Sequence, residues 1–538
     1  MAKGFLALVL HGHLPFVRHP EHDDSFEESW LYQAITEVYV PLLLTLDSLV
    51  ADGIDFRLTF SLTPTLVAML ADPFLQSRYL QRIERLIELT EKEVERTRYQ
   101  PEFQTLAALY RERFHRVRTA FVDGYDRNLV AGFERLQKLG KLEIIASAAT
   151  HGYLPLLSVR PDAVRTQIQV GIANHTTVFG RRPNGFWLPE CGFYPGVDRL
   201  LTDAGIRFTI LETHGITRAR PRPRYGVYAP LRSPAGLSVF GRDPECSRQV
   251  WSAHEGYPGD SDYREFYRDI AHSLDFDSLQ RYVHRGGLRI DTGIKYYRVT
   301  GKTERKQVYV PHQAEKKAQI HAEHFVRARE QQIDSLAAIM DRKPLLVAPY
   351  DAELFGHWWY EGPLWLNQVI RKTAVNPTIQ LVTLSEYLAE CAAIQPAAPP
   401  LSSWGRNGFN EVWLSPDNQW IYPHLHRAAR VLQQIESHGS RADALTSRAL
   451  DQAKRELLLA QSSDWAFMIN ARTTVDYAIQ RTNRHLENFN RLTAQIASGN
   501  IDEPWLAATE AQNCIFSARE LRPAAENKTE DETQTTEV

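Results

Sequence analysis

Cysteine is scarce in this chain. There are four in 538 residues, Cys191, Cys246, Cys391 and Cys514, and no two are near enough in sequence to form a CxxC pair. That excludes a disulfide framework and fits a reducing compartment. An excess of one charge is also missing. Lys and Arg total 62, Asp and Glu 65, for a formal net charge of −3, so nothing electrostatic points to a nucleic-acid or anionic-membrane partner. Long apolar runs are absent at the N-terminus. The run Phe5 to Leu10 stops at His11, too short for a signal h-region or a bilayer span. A cytoplasmic location and a monomer are the expectations. No internal repeat is visible.

At 538 residues, the chain suits one barrel-sized domain with one or two smaller units. It carries 11 Trp, 22 Tyr and 23 Phe. These are enough for a large core, or for flat rings that stack on sugars as well, and composition does not choose.

Short apolar runs recur, and polar clusters follow them. Phe5 to Leu10 precedes HGH, Arg57 to Leu62 precedes Thr63-Pro64, and Leu142 to Ser147 precedes ATHG. Gly185 to Pro189 runs into PEC, Arg207 to Glu212 into TH, Leu237 to Phe240 into GRD, Leu288 to Ile290 into DTG and Leu345 to Ala348 into YDAE. Between them the spacing is helical at Trp30 to Leu49 and Pro161 to Val178, and over the charged stretch Asp72 to Leu139. Strands alternating with helices predict a parallel α/β fold. Polar groups after many strands, rather than at one switch point, favour a closed barrel with its site at the C-terminal face.

The expected organisation is a catalytic unit over 1–395 with a helical insertion at about 72–139. The Pro/Ala linker QPAAPPL (Gln395 to Leu401) leads to a helical domain over 396–525, and 526–538 is an acidic, Thr-rich tail expected to be disordered.

Six carboxylates fall at strand ends: Glu190, Glu212, Asp243, Asp291, Asp351 and Glu353. Retaining glycoside chemistry needs two across one bond, one to attack the anomeric carbon and one to give and take a proton. Each could equally be a cap or a salt bridge. Glu190 lies within WLPECGFYPG, and Asp351 and Glu353 within PYDAELFGHWWYEGP; both segments are rich in aromatic residues, which would raise the pKa of a buried acid. His11 and His13 form an HxH after the first strand. With His151 and Asp351 the pair could begin a metal site of a barrel hydrolase, but that set looks incomplete, and sugar-binding histidines are preferred.

The segments HGHLPFVR (11–18), ATHGYLP (149–155), GFWLPECGFYPG (185–196) and APYDAELFGHWWYEGP (348–363) resemble family 57 glycoside hydrolases, and within them the α-glucan branching enzymes. The resemblance runs in order from residue 5 to beyond 410. It implies an incomplete, TIM-like (β/α)7 barrel with a helical insertion and a C-terminal all-helical domain. It implies Glu190 as nucleophile and Asp351 as general acid/base. His11, His13, Trp30 and His151 would lie near the donor sugar, and Trp404 and Trp413, from WGRNGFNEVW, beside the acceptor cleft; Trp358 and Trp359 are further substrate candidates. No metal or organic cofactor is implied, and the partner is an α-glucan. A lid tyrosine is sought in Thr213 to Pro234, where Tyr225 and Tyr228 are candidates. The alternatives are a family 57 α-amylase or 4-α-glucanotransferase and, from another class, the metal-dependent barrel hydrolase.

Overall fold

The computed structural model describes residues 2–23, 25–252, 255–282, 289–391, 393–438 and 443–522. The tail 526–538 and Leu288 lie outside them.

Seven parallel strands form the frame: β1 (Gly4–Gly12), β2 (Leu58–Leu62), β3 (Leu142–Ser147), β4 (Gly185–Trp187), β5 (Phe208–Leu211), β7 (Ser238–Gly241) and β8 (Leu345–Asp351). They pair in the order β7-β5-β4-β3-β2-β1-β8. The circle is joined where the Asp243 N–H, just past β7, donates to Val347 O of β8 at 2.8 Å. This is the expected (β/α)7 barrel. Three short strands carry no signal in the sequence. β6 (Leu231–Arg232) is antiparallel to β7, β9 (Ile379–Leu381) pairs with β1, and β10 (Gln395–Pro396) pairs with β6.

Side-chain alternation along the strands explains both the core and the site. Phe5, Ala7 and Val9 of β1 point into the barrel with Trp187, Phe208, Ile210, Phe240, Leu345 and Val347. Leu6, Leu8 and Leu10 face outward into the helical layer. A strand repeats every two residues, so His11 continues the inward row of β1, and Asp351 that of β8. The two are register partners.

Helices cover the outside. The insertion comprises helices Pro73–Arg96, Pro101–Thr119 and Leu129–Lys138. The run Glu28–Ala51 is apolar enough to cross a membrane by composition, but Leu31, Val38, Leu42, Leu43 and Leu46 are fully buried in the core. It is interrupted by a π-turn at Ile35–Tyr39, where the spacing predicts one continuous helix. The C-terminal helices include Ile421–His438, Ala444–Ala460, Ser463–Ala471 and Val475–Ser498.

Two local expectations fail. No strand forms over the described part of Leu288 to Ile290. The residues beyond it are held by a side chain instead of a ladder, because the buried Asp269 carboxylate accepts from the N–H groups of Thr292 and Gly293 and from the Thr292 hydroxyl. The Pro/Ala stretch is not a free linker. Besides the β10–β6 pairing, Ala398 and Arg220 exchange both backbone bonds, at 2.7 and 3.1 Å.

Candidate active site

The site gathers at the C-terminal ends of β1, β2, β3, β4 and β8. His11 stacks on Trp187 with ring centroids 4.5 Å apart. Its Nδ1 meets Ser61 Oγ at 3.1 Å, and its Nε2 meets His151 Nε2 at 3.1 Å. His13 stacks on His151 at 3.8 Å. Its ring nitrogens are taken by Thr63 Oγ1 at 3.0 Å and Asp464 Oδ2 at 3.0 Å. His151 adopts a left-handed backbone, φ 56°, and its Nδ1 meets Ser463 Oγ at 2.9 Å. Three imidazoles this close cannot all be charged. Burial, then the charge of His13, holds His11 well below the usual histidine range. Burial and both neighbouring histidines hold His151 down as well. For His13 burial acts downward too, but Asp464, Glu190 and Glu353 outweigh it and raise the pKa. Of the three, His13 holds a proton most strongly. With these nitrogens committed to hydroxyls, a carboxylate and each other, the histidines are arranged as donors and acceptors rather than as a converging metal-ligand set.

Glu190 does not follow strand alternation. It sits just past β4 on a tight turn with φ 61° and ψ 24°, and Cys191 next to it has φ 50°. Two successive left-handed residues without glycine are costly and persist only where their surroundings hold them. Here Trp404 supplies that hold. Its N–H donates to Glu190 O at 3.1 Å, and its indole Nε1–H to Glu190 Oε2 at 2.8 Å. Ser463 Oγ donates to Glu190 Oε1 at 3.1 Å. Burial pushes the Glu190 pKa up, and the two donors and His13 pull against it; the net shift is upward.

Asp351 is treated differently. Among the described residues no donor meets its carboxylate. Burial, the charge of Glu353 and the charge of Glu190 drive its pKa well above the usual range, with Arg242 opposing. Glu353 accepts from the buried Tyr39 hydroxyl and from the His13 N–H at 3.2 Å. Burial pushes the Glu353 pKa up and these donors pull against it, so an acid without a donor stands beside one that has two.

The other carboxylates are structural. Glu212 pairs with Arg242 at 2.9 Å. Asp243 caps the helix Pro244–Trp251 through Cys246 N–H. Asp291 pairs with His272 at 2.8 Å and Lys295 at 3.0 Å.

The aromatic candidates divide. Trp404 is in the site. Trp358 is 43% exposed, 6.2 Å from the Trp251 ring, and offers a free surface. Trp30 packs edge-on against Tyr477 of the C-terminal helices. Trp359 and Trp413 are each 1% exposed, which corrects their assignment as substrate contacts. Trp359 packs on Trp365 and Tyr263, each at 5.4 Å, and Trp413 stacks on Tyr153 at 4.3 Å. Tyr225 and Tyr228 are likewise corrected. Tyr228 O accepts from Leu345 N–H, at the start of β8, and the Tyr225 ring lies beside Arg342, before it. Asp351 ends the same strand, roughly 20 Å further on. Neither tyrosine is placed to close the site.

Ser463 and Asp464 escape a reading of the sequence alone. They open the helix Ser463–Ala471, where the sequence SSDW has the polar composition of a helix start. Only the folded chain brings them to residues 13, 151 and 190.

The profile of Glycosyl hydrolase family 57 matches residues 7–333, and that of the 1,4-alpha-glucan branching enzyme C-terminal domain matches residues 424–522. The chain belongs to glycosyl hydrolase family 57. The proteins it is similar to include branching enzymes and an α-amylase. A 1,4-alpha-glucan branching enzyme of Thermococcus kodakarensis, TK1436, is 33% identical over 92% of this chain and 74% of its own. The α-amylase AmyC of Thermotoga maritima superposes with a TM-score of 0.90 at 42% identity, covering 97% of this chain and 99% of that one. The family 57 branching enzyme of Pyrococcus horikoshii superposes with a TM-score of 0.87 at 32% identity, covering 96% and 97%.

Proposed function

We propose that the chain is a retaining 1,4-α-glucan branching enzyme. Glu190 attacks the anomeric carbon of an α-1,4 bond while Asp351 protonates the departing 4-oxygen. The severed donor chain stays bonded to Glu190. Asp351, now a carboxylate, takes the proton from an acceptor 6-hydroxyl, which displaces Glu190 and forms an α-1,6 branch. The single observation carrying this reading is the unlike treatment of the two carboxylates. Glu190 receives two donors that favour its charged form. Asp351 faces two carboxylates that favour its protonated form. His11, His13 and His151 line the donor side, and Trp404 and Trp358 offer ring faces to the glucan.

Hydrolysis is the second reading, favoured by two observations. The amylase relative is 42% identical, and Tyr225 and Tyr228 do not reach the site to exclude water. Incubation with amylose, then debranching and chain-length analysis, separates the two. New short chains released only after debranching support transfer to a 6-hydroxyl. Reducing ends that rise without new branches would assign the chain to the amylases.

We also propose the division into a barrel unit over 1–395 and a helical unit from 396. A monomer in the cytoplasm fits four free cysteines.

A further inference from the structure

The helix interruption at Ile35–Tyr39 sits directly against the segment just after Asp351. Three contacts join them. Tyr39, fully buried, donates its hydroxyl to Glu353 Oε1. Glu37 Oε2 meets His357 Nδ1 at 2.6 Å. Gly356, at φ 113°, passes so close that a Cβ there would lie 1.8 Å from Glu37 O, so only glycine permits the approach. A π-turn adds one residue to a helix and so rotates the turns C-terminal to it; such turns cluster at functional sites. In this chain the rotation presents Glu37 and Tyr39 together to the Asp351–His357 segment.

We propose that Tyr39 is a positioning residue for the general acid: by holding Glu353 as a carboxylate, it keeps the shared proton on Asp351. This rests on the reading of Asp351 as acid/base. Asp351 and Glu353 are neighbouring acids whose charges repel, so a proton on one favours charge on the other. The proton is useful only on Asp351. The groups facing Glu353 are Tyr39 from the π-turn, the His13 imidazole and N–H from the end of β1, and Asp351 itself. Those facing Asp351 are Glu353, Glu190, Arg242, Cys191 and Tyr39 itself, whose hydroxyl is given to Glu353. Tyr39 and the His13 N–H both donate to Glu353, whereas none of the groups facing Asp351 donates to it. The donors therefore bias the pair towards a charged Glu353 and a neutral Asp351. The phenol can fill this role because burial and the Glu353 charge push its own pKa well up, so it remains a donor.

The test is the pH profile of kcat/KM on amylose for Tyr39→Phe, Glu353→Gln and the double variant. Without the phenol, the proton passes in part to Glu353: the plateau of kcat/KM falls because part of the singly protonated pair is the wrong tautomer, and the basic limb moves to higher pH, by up to about one unit, the size expected from a lost hydrogen bond to a charged group. Glu353→Gln removes the charge that raises the Asp351 proton affinity and moves the same limb the other way, to lower pH. In the double variant Tyr39→Phe adds no further shift. A Tyr39→Phe plateau and limb that both stay in place, or an equal further change in the double variant, would assign Tyr39 to packing alone and overturn the proposal. The free protein gives a readout independent of turnover. The infrared C=O band of the protonated carboxyl near neutral pH is expected to vanish in Asp351→Asn and to return, on Glu353, in Asp351→Asn/Tyr39→Phe. Its failure to return would overturn the proposal even if the substrate were not a glucan.

Discussion

The two walls of the cleft are built by opposite means. On the Glu190 side, the carboxylate sits on a left-handed turn and is gripped by groups from far along the chain, Trp404 and Ser463. On the Asp351 side, the carboxyl continues the regular alternation of β8, no donor meets it among the described residues, and it faces two acids, Glu353 and Glu190, with Arg242 opposing them. The strained wall supplies donors that oppose the effect of burial, and the unstrained wall supplies none. Two carboxyl groups in one cleft thereby acquire different proton affinities from different surroundings, as two-carboxylate glycoside chemistry requires.

That contrast can be broken one wall at a time. The largest effect is expected from Glu190→Gln, which removes the nucleophile and should lower kcat by on the order of 10⁴ or more with an unchanged circular-dichroism spectrum. Substantial residual turnover would reassign the attack. Asp351→Asn removes the acid and should cost about 10² to 10⁴ on amylose. The loss should shrink on an aryl maltooligosaccharide whose leaving group needs no proton, as measured by phenolate release. Trp404→Phe keeps a ring but removes the indole donor from Glu190. Loss of a bond to a charged group, about 1.5–3 kcal/mol, corresponds to roughly 10- to 100-fold. The sign in pH comes from its cause. With one donor gone, burial raises the Glu190 pKa further, the nucleophile stays protonated to higher pH, and the acidic limb of kcat/KM moves up while the basic limb holds. The smallest effect is expected from Tyr225→Phe and Tyr228→Phe, at the far end of β8. Each should leave the ratio of branching to hydrolysis within about twofold; a marked rise in reducing ends would return one of them to the cleft.

Much of the Asp351 wall is legible in the sequence. The alternation of β1 and β8 is local, so FLALVLHGH and LLVAPYD already point His11 and Asp351 inward. The Glu190 wall is legible only as a motif. Its left-handed turn leaves no periodic trace, and its donors lie 214 and 273 residues away. The π-turn is hidden because one added residue barely disturbs the apolar spacing of Trp30 to Leu49. Tyr225 and Tyr228 mislead because a loop between a strand and the next element can descend the outside of a barrel as readily as cover its mouth. The backbone bonds to Ala398 and Leu345 decide that, and they are non-local. Trp358 and Trp359 show the same limit: adjacent in sequence, one faces solvent and the other the core.

His13 leans on Asp464 across 451 positions of sequence, and this has a bearing on synthesis. A ribosome releases the barrel strands well before the helix that bears Ser463 and Asp464. Until that helix emerges and docks, the nascent barrel lacks the Ser463 donor to Glu190 and the carboxylate partner of the His13 ring. Full competence to cut and transfer a glucan is therefore expected late in translation, once the helix Ser463–Ala471 has docked.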